Sequence, residues 1–221
     1  MMADDISRLA RLLRWCGLAL VAAGVLMAVA APLHPSRETA TTILASEVRL
    51  VASHVLSMLS SLLVLLGLPG LYVAQRAGMG RLGFVGFLGA FTGTYLLAVS
   101  GNFGFLAPVL AKESPALIDA INLYPPELGL NALAVITFIV GYTFFGIAMT
   151  RTTLPRPCGI LVAVGAPAYL LGGGISQLVS PAAWAIVVLG SASLGVGLAW
   201  AGYQLWHTMT GWGDMSWHSK G

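Results

Sequence analysis

His54 is the residue whose setting points most directly to chemistry, because an ionisable group within an apolar stretch is costly and marks a functional candidate. Between Arg49 and Arg76 lie 26 residues without Asp, Glu, Lys or Arg. That is about 39 Å of helix at ~1.5 Å per residue, enough to cross a bilayer with some tilt. Within it Ser53, His54, Ser57, Ser60 and Ser61 recur at spacings of three and four, so they gather on one side of a helix that should turn toward protein and away from lipid. Two readings of His54 compete. One makes it the centre of a membrane enzyme or of a redox protein holding haem or a metal. In the other, a neutral imidazole bonds a serine or a backbone carbonyl of a neighbouring helix.

The chemical versions meet specific obstacles. Ser57 shares a helix face with His54, the start of a hydrolytic pair, but no carboxylate lies nearby in sequence to orient the base, and no catalytic residue is expected. Haem needs a second axial ligand, for which His34 is the nearest residue, and no set of paired in-membrane histidines exists. Cys16 and Cys158 open their apolar segments at corresponding points, yet neither belongs to a Cys-x-x-Cys pair. His207 and His218 lack ligand spacing. Neither a cofactor nor a metal is therefore expected. Phosphate-binding glycine loops, zinc-protease helices and nucleophile elbows are absent from the sequence.

What the polar residues do suggest is a pocket in the outer leaflet. His54 lies roughly 8 Å below Arg49, and Asn131 about 5 Å inside its own span, by helical rise. Asn102 and Gln177 approach the same depth from the outer ends of two other spans, with Ser57 below and Glu127 at the rim. The expected ligand-binding set is thus His54, Ser57, Asn102, Glu127, Asn131 and Gln177.

The elements that would carry these residues follow from composition. Apolar residues make up 57% of the 221, charged residues 9%, and mean hydropathy is +0.87, far from the soluble balance of about 25% charged. The formal charge of +3 is small and scattered over span ends, so a nucleic-acid groove is not expected. The sequence predicts an all-α, polytopic membrane helix bundle: one domain over 1–221, with six transmembrane helices as three antiparallel hairpins. Spans are expected at about 15–33, 50–75, 82–110, 128–150, 158–179 and 182–206, with an interfacial tail over 207–221 that includes Trp212 and Trp217. The N-terminal segment imitates a signal peptide, with Arg8, Arg11 and Arg14 ahead of an apolar run, and is read as the first span preceded by a short amphipathic approach. Gly78 and Gly80 mark a tight turn between the second and third spans, residues 111–128 a long loop broken by Pro125-Pro126, and Ser180-Pro181 the start of the sixth span. Pro167 and Gly172 to Gly174 mark span five as bent or discontinuous. Eight basic residues (Arg8, Arg11, Arg14, Arg76, Arg81, Arg151, Arg156, Lys220) face three (Arg37, Arg49, Lys112) across the expected topology. That imbalance places both termini in the cytoplasm of a cell with the chain in its inner membrane.

Each hairpin opens alike, with Arg14-Trp15-Cys16-Gly17, Arg81-Leu82-Gly83 and Arg156-Pro157-Cys158-Gly159, and closes with Gly70-Leu71-Tyr72, Phe145-Gly146-Ile147 and Gly202-Tyr203. This pattern resembles that of small bacterial six-span integral membrane proteins of unknown function, over about residues 14–206. The resemblance implies the architecture and carries over no site residues. Since no Asp, Glu, Lys or Arg lies within the expected spans, a charge-relay transporter is disfavoured. The leading expectation is a non-enzymatic protein that binds a small amphipathic ligand from the lipid bilayer or serves as a membrane subunit for a partner protein.

Overall fold

In the computed structural model, residues 2–122 and 124–215 are described, with side chains for 5–101, 104–118, 120 and 124–209. These residues form helices α1 (Met2–Leu33), α2 (Ala40–Ala45), α3 (Glu47–Ser100), α4 (Ala107–Glu113), α5 (Pro115–Asn122), α6 (Pro125–Met149), α7 (Arg156–Leu178) and α8 (Trp184–Met215), with no strand among the described residues. Trp217, His218 and Lys220 lie outside the described residues, as does the side chain of Trp212.

Among the described residues, five helices are long and apolar enough to cross a membrane, where the sequence predicts six. The difference lies in α3, whose 54 residues would span about 81 Å as one rod, far more than a hydrocarbon core of about 30 Å. Gly80 interrupts it at φ 58° and ψ −160°, a conformation essentially reserved for glycine. The chain turns back there: Tyr72 stacks on Phe87 with ring centroids 4.7 Å apart, whereas 15 residues of continuous helix would separate them by about 22 Å. The expected loop between the second and third spans is thus a one-residue break.

Other boundaries also differ from expectation. The span predicted over 82–110 stops at Ser100, because Gly101–Phe105 tightens into a 3-10 turn before α4 begins. The predicted loop over 111–128 is mostly helical, since Pro108, Pro115 and Pro125 sit in first turns, where a missing N–H costs nothing. The last long helix opens where Ser180-Pro181 predicts, with the Ser180 hydroxyl accepting from the Ala182 N–H and Pro181 in the first turn. Helix α7 runs unbroken through Pro167 and Gly172 to Gly174. The carbonyl of Ala163, which Pro167 cannot serve, accepts instead from the Thr143 hydroxyl of α6 at 3.3 Å.

Neighbouring helices form a closed circuit: α1 packs on α3, α3 on α6, α6 on α7, α7 on α8, and α8 back on α1. Glycine permits the closing contact, since the backbones of Gly24 and Gly195 approach so closely that a Cβ on either would overlap the other. Gly89 and Gly93 likewise lie against Gly141 and Phe138 of α6. The main core gathers Leu20, Val64, Leu68, Tyr142, Phe145, Val162, Leu194 and Leu198 from all five long helices. A second, small core of Ile43, Leu50, Ala107, Ala111 and Ile118 ties α2, α4 and α5 over one end of the bundle, where Lys112 pairs with Glu47 at 2.8 Å. The outward faces are apolar: Leu62, Leu66, Ile136, Val164, Leu189 and Val196 are 51% to 71% exposed, a surface compatible with helices that lie in a membrane.

Candidate functional site

The site lies beneath the α2–α4–α5 cap, and backbone carbonyls orient its rings. His34 follows directly on α1, and its Nδ1 lies 2.8 Å from the Pro35 carbonyl. A carbonyl only accepts, so Nδ1 carries the proton. His54 sits two turns into α3, with Nδ1 2.9 Å from the Leu50 carbonyl. Both Nε2 atoms are thereby turned away from the backbone. That of His34 lies 3.0 Å from Glu38 Oε1, four residues on. The two imidazole centroids are 5.2 Å apart.

Neighbours hold these rings in place. Trp184 stacks on His34 at 5.3 Å while its indole N–H donates to the Ala31 carbonyl. Phe105 meets His54 edge-on at 6.1 Å, and Gly104 lies so close that a Cβ there would overlap the His54 ring. Burial acts to raise the pKa of the Glu38 carboxyl. The hydrogen bond and charge of His34, with a smaller charge contribution from His54, outweigh it and hold the group below the usual carboxylate value.

A cavity of about 330 Å³ opens from these groups into the bundle. Its lining carries imidazole, carboxylate and amide groups near the cap, where His34, Glu38, His54, Glu127 and Asn131 lie, and deeper down sets the apolar walls of Met27, Leu97, Phe138 and Leu170 among the hydroxyls of Ser60, Ser61 and Thr94. Ser53 and Ser60 face α1 from the same stripe, donating to the carbonyls of Ala30 and Ala23, both at 2.9 Å. Seven residues separate the donors and seven the acceptors, in opposite order, as antiparallel helices require.

Of the residues singled out from sequence, His54, Ser57, Glu127 and Asn131 line this one cavity, and the Asn131 amide donates to Glu127 at 3.1 Å. Asn102 belongs to the 3-10 turn whose Gly101, Gly104 and Phe105 line it, but the Asn102 side chain lies outside those described. Gln177 is not brought there. It is exposed at the end of α7 and donates to the Ser36 carbonyl at 3.4 Å, because α7 ends beside the segment after α1 and not over the cavity. Sequence reasoning missed Glu38 as a site residue. The available signal was its four-residue spacing from His34, which resembled an ordinary polar loop. Comparison with family models, curated proteins and solved structures finds no match for this chain.

Chemically, the arrangement offers two imidazoles and a carboxylate whose donor atoms lie within 4.8 Å of one another, at one end of the cavity.

Proposed function

We propose that the chain is a multi-pass protein of the cell's inner membrane that binds a small amphipathic ligand in this cavity. The observation that carries the reading is the uneven lining, with every imidazole, carboxylate and amide group at the cap end and only hydroxyls among the apolar side chains deeper down. A polar head would meet His54, Ser57 and Asn131, while an apolar tail would lie against Met27, Leu97, Phe138 and Leu170. About 330 Å³ suits a small ligand or the head and first carbons of a lipid.

Six crossings follow if each leg of α3 spans separately. Both termini then share one side with the ends of α3's legs at Gly80. Thr153 donates to Gln75 at 3.1 Å, and Gly78 approaches the backbone of Arg151, so those basic turns lie at one end of the bundle. Cys16 packs on Gly70 near the same end, beside Arg14. The concentration of arginine there supports placing it in the cytoplasm, with the cavity toward the outer leaflet.

The test is extraction of the protein in native lipid discs, followed by mass spectrometry of its bound organic molecules. A ligand present near one per chain, and reduced at least tenfold by Ser57→Phe in a folded variant, is expected. Equal recovery from both proteins would refute the reading.

A further inference from the structure

We propose that His34, Glu38 and His54 form a binding site for a divalent transition-metal ion, Zn²⁺ being the first candidate. This departs from the sequence expectation of no metal and goes beyond the ligand reading, since the three donors stand whether or not an amphipathic molecule enters the cavity.

Three observations carry it. The donor set is two imidazole nitrogens and one carboxylate, the composition of zinc sites that keep a coordination position open. Imidazole also disfavours Mg²⁺ and Ca²⁺, which take oxygen ligands. The second observation is the tautomers. His34 and His54 each anchor Nδ1–H on a backbone carbonyl, at 2.8 and 2.9 Å, the outer bond by which metal-bound histidines are commonly oriented. Nε2 of each ring is then the atom left to coordinate. His34 makes the point sharper, because both its nitrogens face acceptors, Pro35 O and Glu38 Oε1. A cation placed between Nε2 and the carboxylate would be held by both atoms at once.

Distance is the third. Ligands about 2.0 to 2.1 Å from a tetrahedral ion lie about 3.3 Å from one another. Here His34 Nε2 and Glu38 are at 3.0 Å, and the widest separation in the trio is within 4.8 Å. Shifts on the order of 1 Å, within reach of side-chain rotation, would close the set. The three residues come from the segment after α1 and from α3, held by Trp184 and Gly104, so an ion would join two elements already fixed. Its remaining positions would face the cavity, available to water or to an oxygen of a ligand head.

The full chain, purified through a histidine-free tag and stripped with chelator, should take up one Zn²⁺ per chain in competition titration, and Co²⁺ should give the visible absorption of a four- or five-coordinate centre. Mg²⁺ at equal concentration should not compete. Glu38→Gln, which keeps size and hydrogen bonding, and His54→Ala should each weaken Zn²⁺ by about 100-fold or more, given that loss of outer-shell partners alone costs about 10- to 100-fold. His207→Ala should leave binding unchanged. Retention of the wild-type elution profile by Glu38→Gln separates a lost ligand from a lost fold. Absence of one-equivalent binding in the wild type, or unaltered affinity in folded Glu38→Gln, would overturn the site; so would loss in His207→Ala equal to that in His54→Ala.

Discussion

Thr94 lies 2.7 Å from the Ala90 carbonyl and 2.8 Å from the Tyr142 hydroxyl, and only one assignment of protons serves both contacts. The carbonyl accepts from Thr94, so Tyr142 must donate to the Thr94 oxygen. Both side chains are buried, and the two removals should therefore cost different amounts. Tyr142→Phe deletes a donor and leaves Thr94 bonded to Ala90, at about 1 kcal/mol. Thr94→Val strands the phenol without an acceptor, at about 1 to 3 kcal/mol. Unfolding in mixed micelles should rank Thr94→Val as the more damaging, and the opposite order would refute the assignment. Gly104 makes a second residue-scale case. A methyl group there must displace the His54 ring, so Gly104→Ala should destabilise by about 1 to 3 kcal/mol through overpacking. In the His54→Ala background most of that cost should vanish, giving a coupling of at least about 0.5 kcal/mol in a double-mutant cycle. Additive effects would show that Gly104 does not seat the ring.

At the scale of elements, one glycine decides whether α3 runs on as a single rod or turns back. Gly80 adopts φ 58° with nothing within 4 Å of where a Cβ would stand, so strain and not crowding would be the fault of a substitution. Gly80→Ala should lose about 1 to 3 kcal/mol. Gly173 also has open space around it but lies within α7 without a positive φ, and Gly173→Ala should be neutral or stabilising by up to about 1 kcal/mol. Equal effects from the two substitutions would contradict the turn. The prolines show why element boundaries were only half legible. Pro181 and Pro125 have the same local chemistry, and each opens a helix. The first reads correctly because Ser180 precedes it as a cap. The second, preceded by Tyr124, reads equally well as the interruption of a loop. Pro167 breaks nothing, because Thr143, from a different helix, supplies its missing donor. No local pattern around Pro167 announces that partner.

For the molecule as a whole, helices long and apolar enough to cross a membrane are legible because apolar residues stand on every face, inside and out, as Leu62 and Leu194 show. The cost of an ionisable group in such a segment likewise picked out His54. Ring closure was not legible: Gly24 meets Gly195 across 171 positions, and a chain with 27 glycines offers many equivalent pairs. Glu38 escaped for a related reason, since a carboxylate in a polar segment looks solvated until the fold sets it within 4.8 Å of two imidazoles. Topology is where the arginines, the Gly80 turn and the site meet in one prediction. Five crossings would put the termini on opposite sides, and six would put them together. Gln75 and Thr153 share one end of the bundle, while Glu38, His54 and Glu127 share the other. A reporter at the C terminus and another inserted at Gly78 should both be active in the cytoplasm, and one inserted at Ser114 should be active only outside. If the Gly78 and C-terminal reporters disagree, α3 does not cross twice. If they agree but report the outside, the arginine-rich end and the cavity exchange sides, and the ligand would have to be drawn from the inner leaflet.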